Sequence, residues 1–252
     1  MPARTIFCMV TNVSTVIQEL QESGMRVEVG DDFARYRNYR NACVGRGEEF
    51  PLFDGGSSFI DETNGFWVCG FDAAGEVVHT QAVRLLDMTN MTLGRHLNVH
   101  RHKYIVPDTT PDPDMTYFRG PKALDIVTGS VAYHGDFWLA SRGLGGPRSQ
   151  GATSLLSRLL SELVQASWKP DYMFAFVPKQ LAIKGAHLRY GYSHGEPGQW
   201  VGPDEIVTNE EYLIWMSASD IENANQNKVE TLQTNSAMSA IRESITAIDL
   251  KG

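Results

Sequence analysis

At 252 residues the chain is long enough for one large domain or two small ones with a proper core. Hydrophobic residues at 42% and charged residues at 21% describe an ordinary globular protein. The formal net charge of -8 weighs against nucleic-acid binding, which asks for a basic excess, but a local arginine cluster can still build an anion site.

No apolar run approaches the roughly 20 residues of a membrane helix. The run from Thr5 to Val10 is too short for a secretory signal and reads as a first strand, Thr5 to Thr11. Cys8, Cys43 and Cys69 lack metal or disulfide spacing. Buried thiols in a cytoplasmic protein are the expectation.

A short helix is expected over Thr15 to Ser23, with Thr15 and Gln18 at capping-box spacing and Gly24 as its stop. Asp31 and Asp32 open a second helix through Phe33, Tyr36, Ala42 and Cys43, which Gly45 ends. GFWVCGF (65–71) and EVVHTQAVRLL (76–86), joined by a Gly-bearing connection, read as a hairpin. Residues 87–120, interrupted by Pro107, Pro111 and Pro113, read as a long loop, and long loops are often functional. This one has room to shape a long-chain pocket.

Within it, His96, His100 and His102 include an i, i+4 pair, but no H-E-x-x-H glutamate or cysteine completes a zinc site. No metal is expected. VAYHGDFWLAS (131–141) is a strand and RGLGGPRSQGAT (142–153) a Gly-rich loop. The clearest helix follows at 153–168, with Leu155, Leu156, Leu159, Leu160, Leu163 and Val164 as its apolar stripe. Its wet face is read as Ser157, Arg158, Ser161, Glu162 and Gln165. Then come a strand at 172–178, a helix at 179–192, a Gly/Pro loop and a strand at 210–218. The tail, 226–252, carries an amphipathic helix that packs on domain 1–225 or on a partner. The expected fold is α/β (α+β), a mixed, mostly antiparallel sheet flanked by helices.

A strand that ends in a Gly/Arg loop and feeds a helix N-terminus makes an anion site. The first-turn amides lack intrahelical partners, and the helix dipole is positive there. Arg142 and Arg148 add bidentate donors, and Thr153 can cap the helix or meet a phosphate. The spacing is neither a P-loop nor a dinucleotide fingerprint.

The segment from Trp67 to Tyr192 resembles the GNAT acyltransferase superfamily. Arg148, Gly151 and Thr153 stand at its R/Q-x-x-G-x-G/A positions, Leu156 and Leu160 follow in the helix, and LAIKGAHLRYGY resembles the final helix. The resemblance implies acyl transfer from acyl-CoA or coenzyme A-type thioesters, with Leu139, Ala140, Ser141, Arg142, Arg148, Ser149, Gln150, Gly151, Ala152 and Thr153 holding the cofactor. Backbone amides near Leu139 to Ser141 would polarise the thioester carbonyl. His187 occupies the position of the usual thiolate-protonating tyrosine, with Tyr190 nearby. The acceptor implied is a small-molecule amine, and the donor an acyl-CoA or an acyl-carrier protein.

A narrower resemblance is to acyl-homoserine-lactone synthases, through Arg35 and Arg37, Asp61 before GFWV, Arg84-Leu85-Leu86 and Trp138-Leu139-Ala140-Ser141-Arg142. It implies Arg35, Arg84 and Trp138 at the substrate and Asp61 as a catalytic carboxylate. Leu139 replaces the expected glutamate, and Asp87-Met88 replaces Pro-Thr. Asp61, Glu76 and Asp136 are base candidates whose bland reading is a solvated turn or edge. The alternatives are a lactone-synthase-like enzyme or a GNAT-like ligand-binding or interaction protein that turns nothing over; a homodimer remains open.

Overall fold

The structure is a computed structural model describing residues 2–43, 46, 51–105, 112–140 and 151–224. Its first element corrects the sequence reading. Residues Ala3–Glu22 form one helix, α1, and not a strand followed by a short helix. Val13, Val16, Ile17 and Leu20 recur at helical spacing and pack inward, which holds the segment helical. The apolar run is left outside, with Ile6, Phe7 and Val10 exposed. Thr15 caps nothing, because its hydroxyl donates to the Thr11 carbonyl inside the helix. Gly24, at φ 81°, stops α1 as expected.

Strand β1 (Arg26–Gly30) has no counterpart in the sequence reading. Helix α2 (Phe33–Asn41) is capped by Asp32, which accepts from the amides of Ala34 and Arg35 at 2.9 and 3.1 Å. The α2 helix ends before Gly45, which lies outside the described residues. The hairpin stands as β2 (Gly65–Phe71) and β3 (Val77–Met88).

The expected long loop holds structure. Helix α3 (Leu93–Val99) buries Leu93 and Leu97, and strand β4 (Tyr117–Arg119) and helix α4 (Ala123–Ile126) follow. Two buried leucines four apart support a seven-residue helix but set no periodicity visible in sequence. Strand β5 (Gly129–Leu139), helix α5 (Ala152–Ser167) and strand β6 (Tyr172–Pro178) follow the expected order. The expected helix at 179–192 is two short ones, α6 (Lys179–Ala182) and α7 (Ala186–Arg189), parted at Gly185, φ 74°. The Gly/Pro loop is strand β7 (His194–Val201), paired with β8 (Val207–Ser217). The tail at 226–252 lies outside the described residues.

The eight strands form one sheet in the order β1-β2-β3-β5-β6-β8-β7-β4. Every neighbouring pair is antiparallel except β5 and β6. This is the expected mixed, mostly antiparallel sheet. Helix α5 makes the crossover that a parallel pair requires. On one face α1 and α5 bury Val16, Leu20, Leu156, Leu159 and Leu160. On the other, α2 and α3 cover Tyr36, Trp67, Leu93, Leu97 and Phe174.

Candidate functional site

Strand β5 positions the site because its two edges behave differently. Toward β6 the parallel ladder runs only from Val131↔Tyr172 to Tyr133↔Phe174, although both strands continue beyond it. Toward β3 the register shifts between Thr80 and Ala82, opposite Asp136, whose φ is 57°. A bulge bends its strand and increases the local twist, which turns the second half of β5 away from β6.

Beside this parting lies a cavity of about 280 Å³. His134 of β5 and Met173 of β6 form its floor. Ser154, Ser157, Arg158 and Ser161 of α5 form one wall, and Arg189, Tyr190 and Tyr192 another. The polar stripe of α5 is therefore not the wet face expected of it. Ser157 and Glu162 are buried, and Glu162 accepts a 2.9 Å hydrogen bond from Asn12 of α1. Ser157 Oγ, Arg158 Nε and Nη2, and Ser161 Oγ are buried with no hydrogen-bond partner among the described residues. Buried polar groups are ordinarily paired, so these atoms give the cavity wall hydrogen-bonding capacity that the described residues leave unused.

Helix α5 opens at Gly151, φ 77°, and among the described residues no side chain caps its first turn. Thr153 does not cap it, against the sequence expectation, because the helix begins at Ala152. Ser141, Arg142, Arg148, Ser149 and Gln150 lie outside the described residues. Leu139 is buried in the core. The Ala140 amide donates to the Val78 carbonyl at 2.8 Å, so this amide does not face a thioester carbonyl as expected.

Tyr190 lines the cavity and packs on Phe137 with ring centroids 4.8 Å apart. His187 lies against Gly195, with Nδ1 buried and unpartnered among the described residues. Asp61 lies elsewhere. It lines an open depression with Asp31, Asp32 and Phe33, and the Thr63 amide and hydroxyl hold its carboxyl below the usual range.

On the opposite face a second cluster forms around Asp136, which is neither a solvated turn nor an edge carboxylate. Its side chain is 2% exposed and is met by Tyr36 Oη at 2.6 Å and Arg40 Nε at 3.1 Å, and it pairs with Arg46. The Arg46 guanidinium also lies over the Trp138 ring at 5.9 Å. Arg35 is exposed and pairs with Glu28 at 2.7 Å. Arg84 is buried, donating to the carbonyls of Leu52, at 2.7 Å, and Phe59. The structure thus puts Arg35, Arg84 and Trp138 on separate duties. Among the histidines, His96 Nε2 lies 2.9 Å from Tyr104 Oη, and His102 pairs with Asp114. Among the described residues no three His, Cys, Asp or Glu side chains group closely enough to hold a metal ion. No described helix is long and apolar enough to cross a membrane.

Sequence reasoning missed His134, Gln81, Arg189 and Tyr192. Polar interruptions of two strands, His134 in VAYHGDFWL and Gln81 in VVHTQAV, signalled the first two, while Arg189 and Tyr192 stand within LAIKGAHLRYGY, read only as a helix.

No protein-family profile and no curated protein sequence matches the chain. The solved structures that align with it include the following three. One is aminoglycoside acetyltransferase AAC(6')-Ib in complex with coenzyme A and kanamycin, at 14% identity and TM-score 0.40, covering 79% of this chain and 98% of that one. Another is FeeM, an N-acyl amino acid synthase from uncultured soil microbes, at 9% identity and TM-score 0.42, covering 79% and 94%. The third is a spermidine N-acetyltransferase SpeG chimera from Vibrio cholerae and hSSAT, at 9% identity and TM-score 0.40, covering 77% and 98%.

Proposed function

We propose that this chain is an acyltransferase that moves an acyl group from a coenzyme A-type thioester to a small-molecule amine. One observation carries the reading: β5 and β6 part beside a cavity whose wall holds hydroxyl and guanidinium atoms unpartnered among the described residues. Arg158 and Arg189 supply charge for phosphates, and the first turn of α5 supplies the positive end of the helix dipole. The parted strands leave room for the thioester arm to reach across the sheet.

The transfer needs a neutral amine, donors for the carbonyl oxygen and a proton for the departing thiolate. Tyr190, in the cavity wall, takes the proton-donor role in this reading, since His187 does not line the cavity. Leu139 stays in the apolar core where lactone-forming relatives would need a carboxylate, which favours plain N-acyl transfer.

The test is a thermal-shift titration with coenzyme A and acyl-CoAs of increasing length, followed by thiol release with an amine panel. A ligand at a hundredfold its Kd adds about 2.7 kcal/mol, or roughly 5–10 °C for a chain of this size. Stabilisation lost in Arg158→Gln, with thiol release, supports the reading. Stabilisation without thiol release from any amine points to the non-catalytic alternative. No shift with any of them overturns the cofactor assignment.

A further inference from the structure

Beneath α5 four polar groups form a chain in which each proton has a single possible place. Gln81 Nε2 lies 2.9 Å from the Leu156 carbonyl. A carbonyl only accepts, so the amide nitrogen of Gln81 must face it and Oε1 must face the other way. Oε1 lies 3.1 Å from His134 Nε2. An amide oxygen also only accepts, so His134 Nε2 carries a proton. Burial lowers the His134 pKa to about 4, so at neutral pH the ring is uncharged and Nδ1 holds a lone pair. Tyr192 Oη lies 3.2 Å from that Nδ1 and must donate to it.

Both Tyr192 and His134 line the cavity. We infer that the Tyr192 hydroxyl is locked as a hydrogen-bond acceptor in the cavity, and that it selects the thioester cofactor by taking an amide N–H of its pantetheine-type arm. This rests on the reading of the cavity as the thioester site. Tyr192 is thus a binding residue. Gln81, which does not line the cavity and reaches it only through His134, is a positioning residue that fixes the direction of the protons in the chain.

Two measurements test this. Nitrogen NMR of 15N-histidine-labelled protein, with His134 assigned by its absence in His134→Gln, reads the tautomer without any ligand. The expected result is a protonated Nε2 and a bare Nδ1 from pH 6 to 8; a protonated Nδ1 overturns the inference. Calorimetric titration of coenzyme A into the wild type, Tyr192→Phe and Gln81→Leu then reads the acceptor. Both variants are expected to bind about tenfold more weakly. Gln81→Leu weakens binding with Tyr192 intact, because the freed imidazole can move its proton to Nδ1 and turn the tyrosine hydroxyl toward the ligand as a donor. Wild-type affinity in both variants overturns the inference and leaves the function standing. Absence of coenzyme A binding to the wild type overturns the cofactor reading and, with it, the ligand assigned to Tyr192.

Discussion

The Tyr36 hydroxyl donates a 2.6 Å hydrogen bond to the Asp136 carboxylate, one hundred positions further along the chain. Tyr36 belongs to α2 and Asp136 to the bulge of β5, so this contact ties a covering helix to the bend beside the cavity. Arg40 and Arg46, whose side chains are 6% and 8% exposed, complete the cluster. Burial and the neighbouring carboxylate raise the Tyr36 pKa well above 10, which keeps the hydroxyl a donor at all physiological pH values.

Asp136→Asn is expected to destabilise the fold by about 3–5 kcal/mol, because it removes the carboxylate facing two buried arginines. Tyr36→Phe removes one hydrogen bond and is expected to cost about 1–2 kcal/mol. Urea denaturation of both variants and the double variant measures these values. A loss below 1 kcal/mol for Asp136→Asn would show that the cluster does not hold α2 to the sheet.

Acid should weaken the protein before its exposed carboxylates titrate. Burial depresses His79 to about 3 and His134 to about 4, from 6.5. An unfolded chain binds these protons from about pH 6.5 downward, and the folded one does not. The stabilisation is therefore complete above pH 6.5 and is lost as the pH falls toward 4. For His134 the loss is of order 3 kcal/mol. Stability measured from pH 8 to 4 should fall across this window, and His134→Gln should flatten part of the slope.

Helices α1 and α5 meet through a buried polar contact, Asn12 Nδ2 to Glu162 Oε1 at 2.9 Å. Asn12→Leu strips a donor from a buried carboxylate and is expected to cost about 1–3 kcal/mol. The pairwise share of that loss is the coupling read from a double-mutant cycle of Asn12→Leu with Glu162→Gln, expected at about 0.5–3 kcal/mol for groups in direct contact. Thermal denaturation of the three variants settles the point.

Arg158 is half-buried, and its Nε and Nη2 are buried and unpartnered among the described residues. A charge so placed costs stability in the unliganded protein. Arg158→Met should therefore leave the melting temperature of the free protein unchanged or raise it, while reducing the rise given by coenzyme A. Destabilisation of the free variant by more than about 1 kcal/mol would mean that the arginine serves the fold rather than a ligand.

Sequence by itself determined the elements whose residues follow a strong local rule. The leucine stripe of α5, the Asp32 cap of α2, the β2–β3 hairpin and the strands β5 and β6 all obey periodicity or turn chemistry acting over a few residues. Helix α1 was misleading because Ile6, Phe7 and Val10 form a strand-like run that ends up exposed, and its helicity comes from packing against α5. Strand β7 was hidden by Gly195, Pro197 and Gly198, yet it is held in the sheet by its pairing with β8. The site was partly visible, as a glycine-rich turn opening a helix. The rest was settled by tertiary structure alone: the parting of β5 from β6, the burial of Asp136 among Tyr36, Arg40 and Arg46, and the chain from Leu156 through Gln81 and His134 to Tyr192. Each depends on residues about 40 to 100 positions apart meeting in the interior, where an unpaired polar group is costly. Local propensity carries no record of which distant partner will satisfy it.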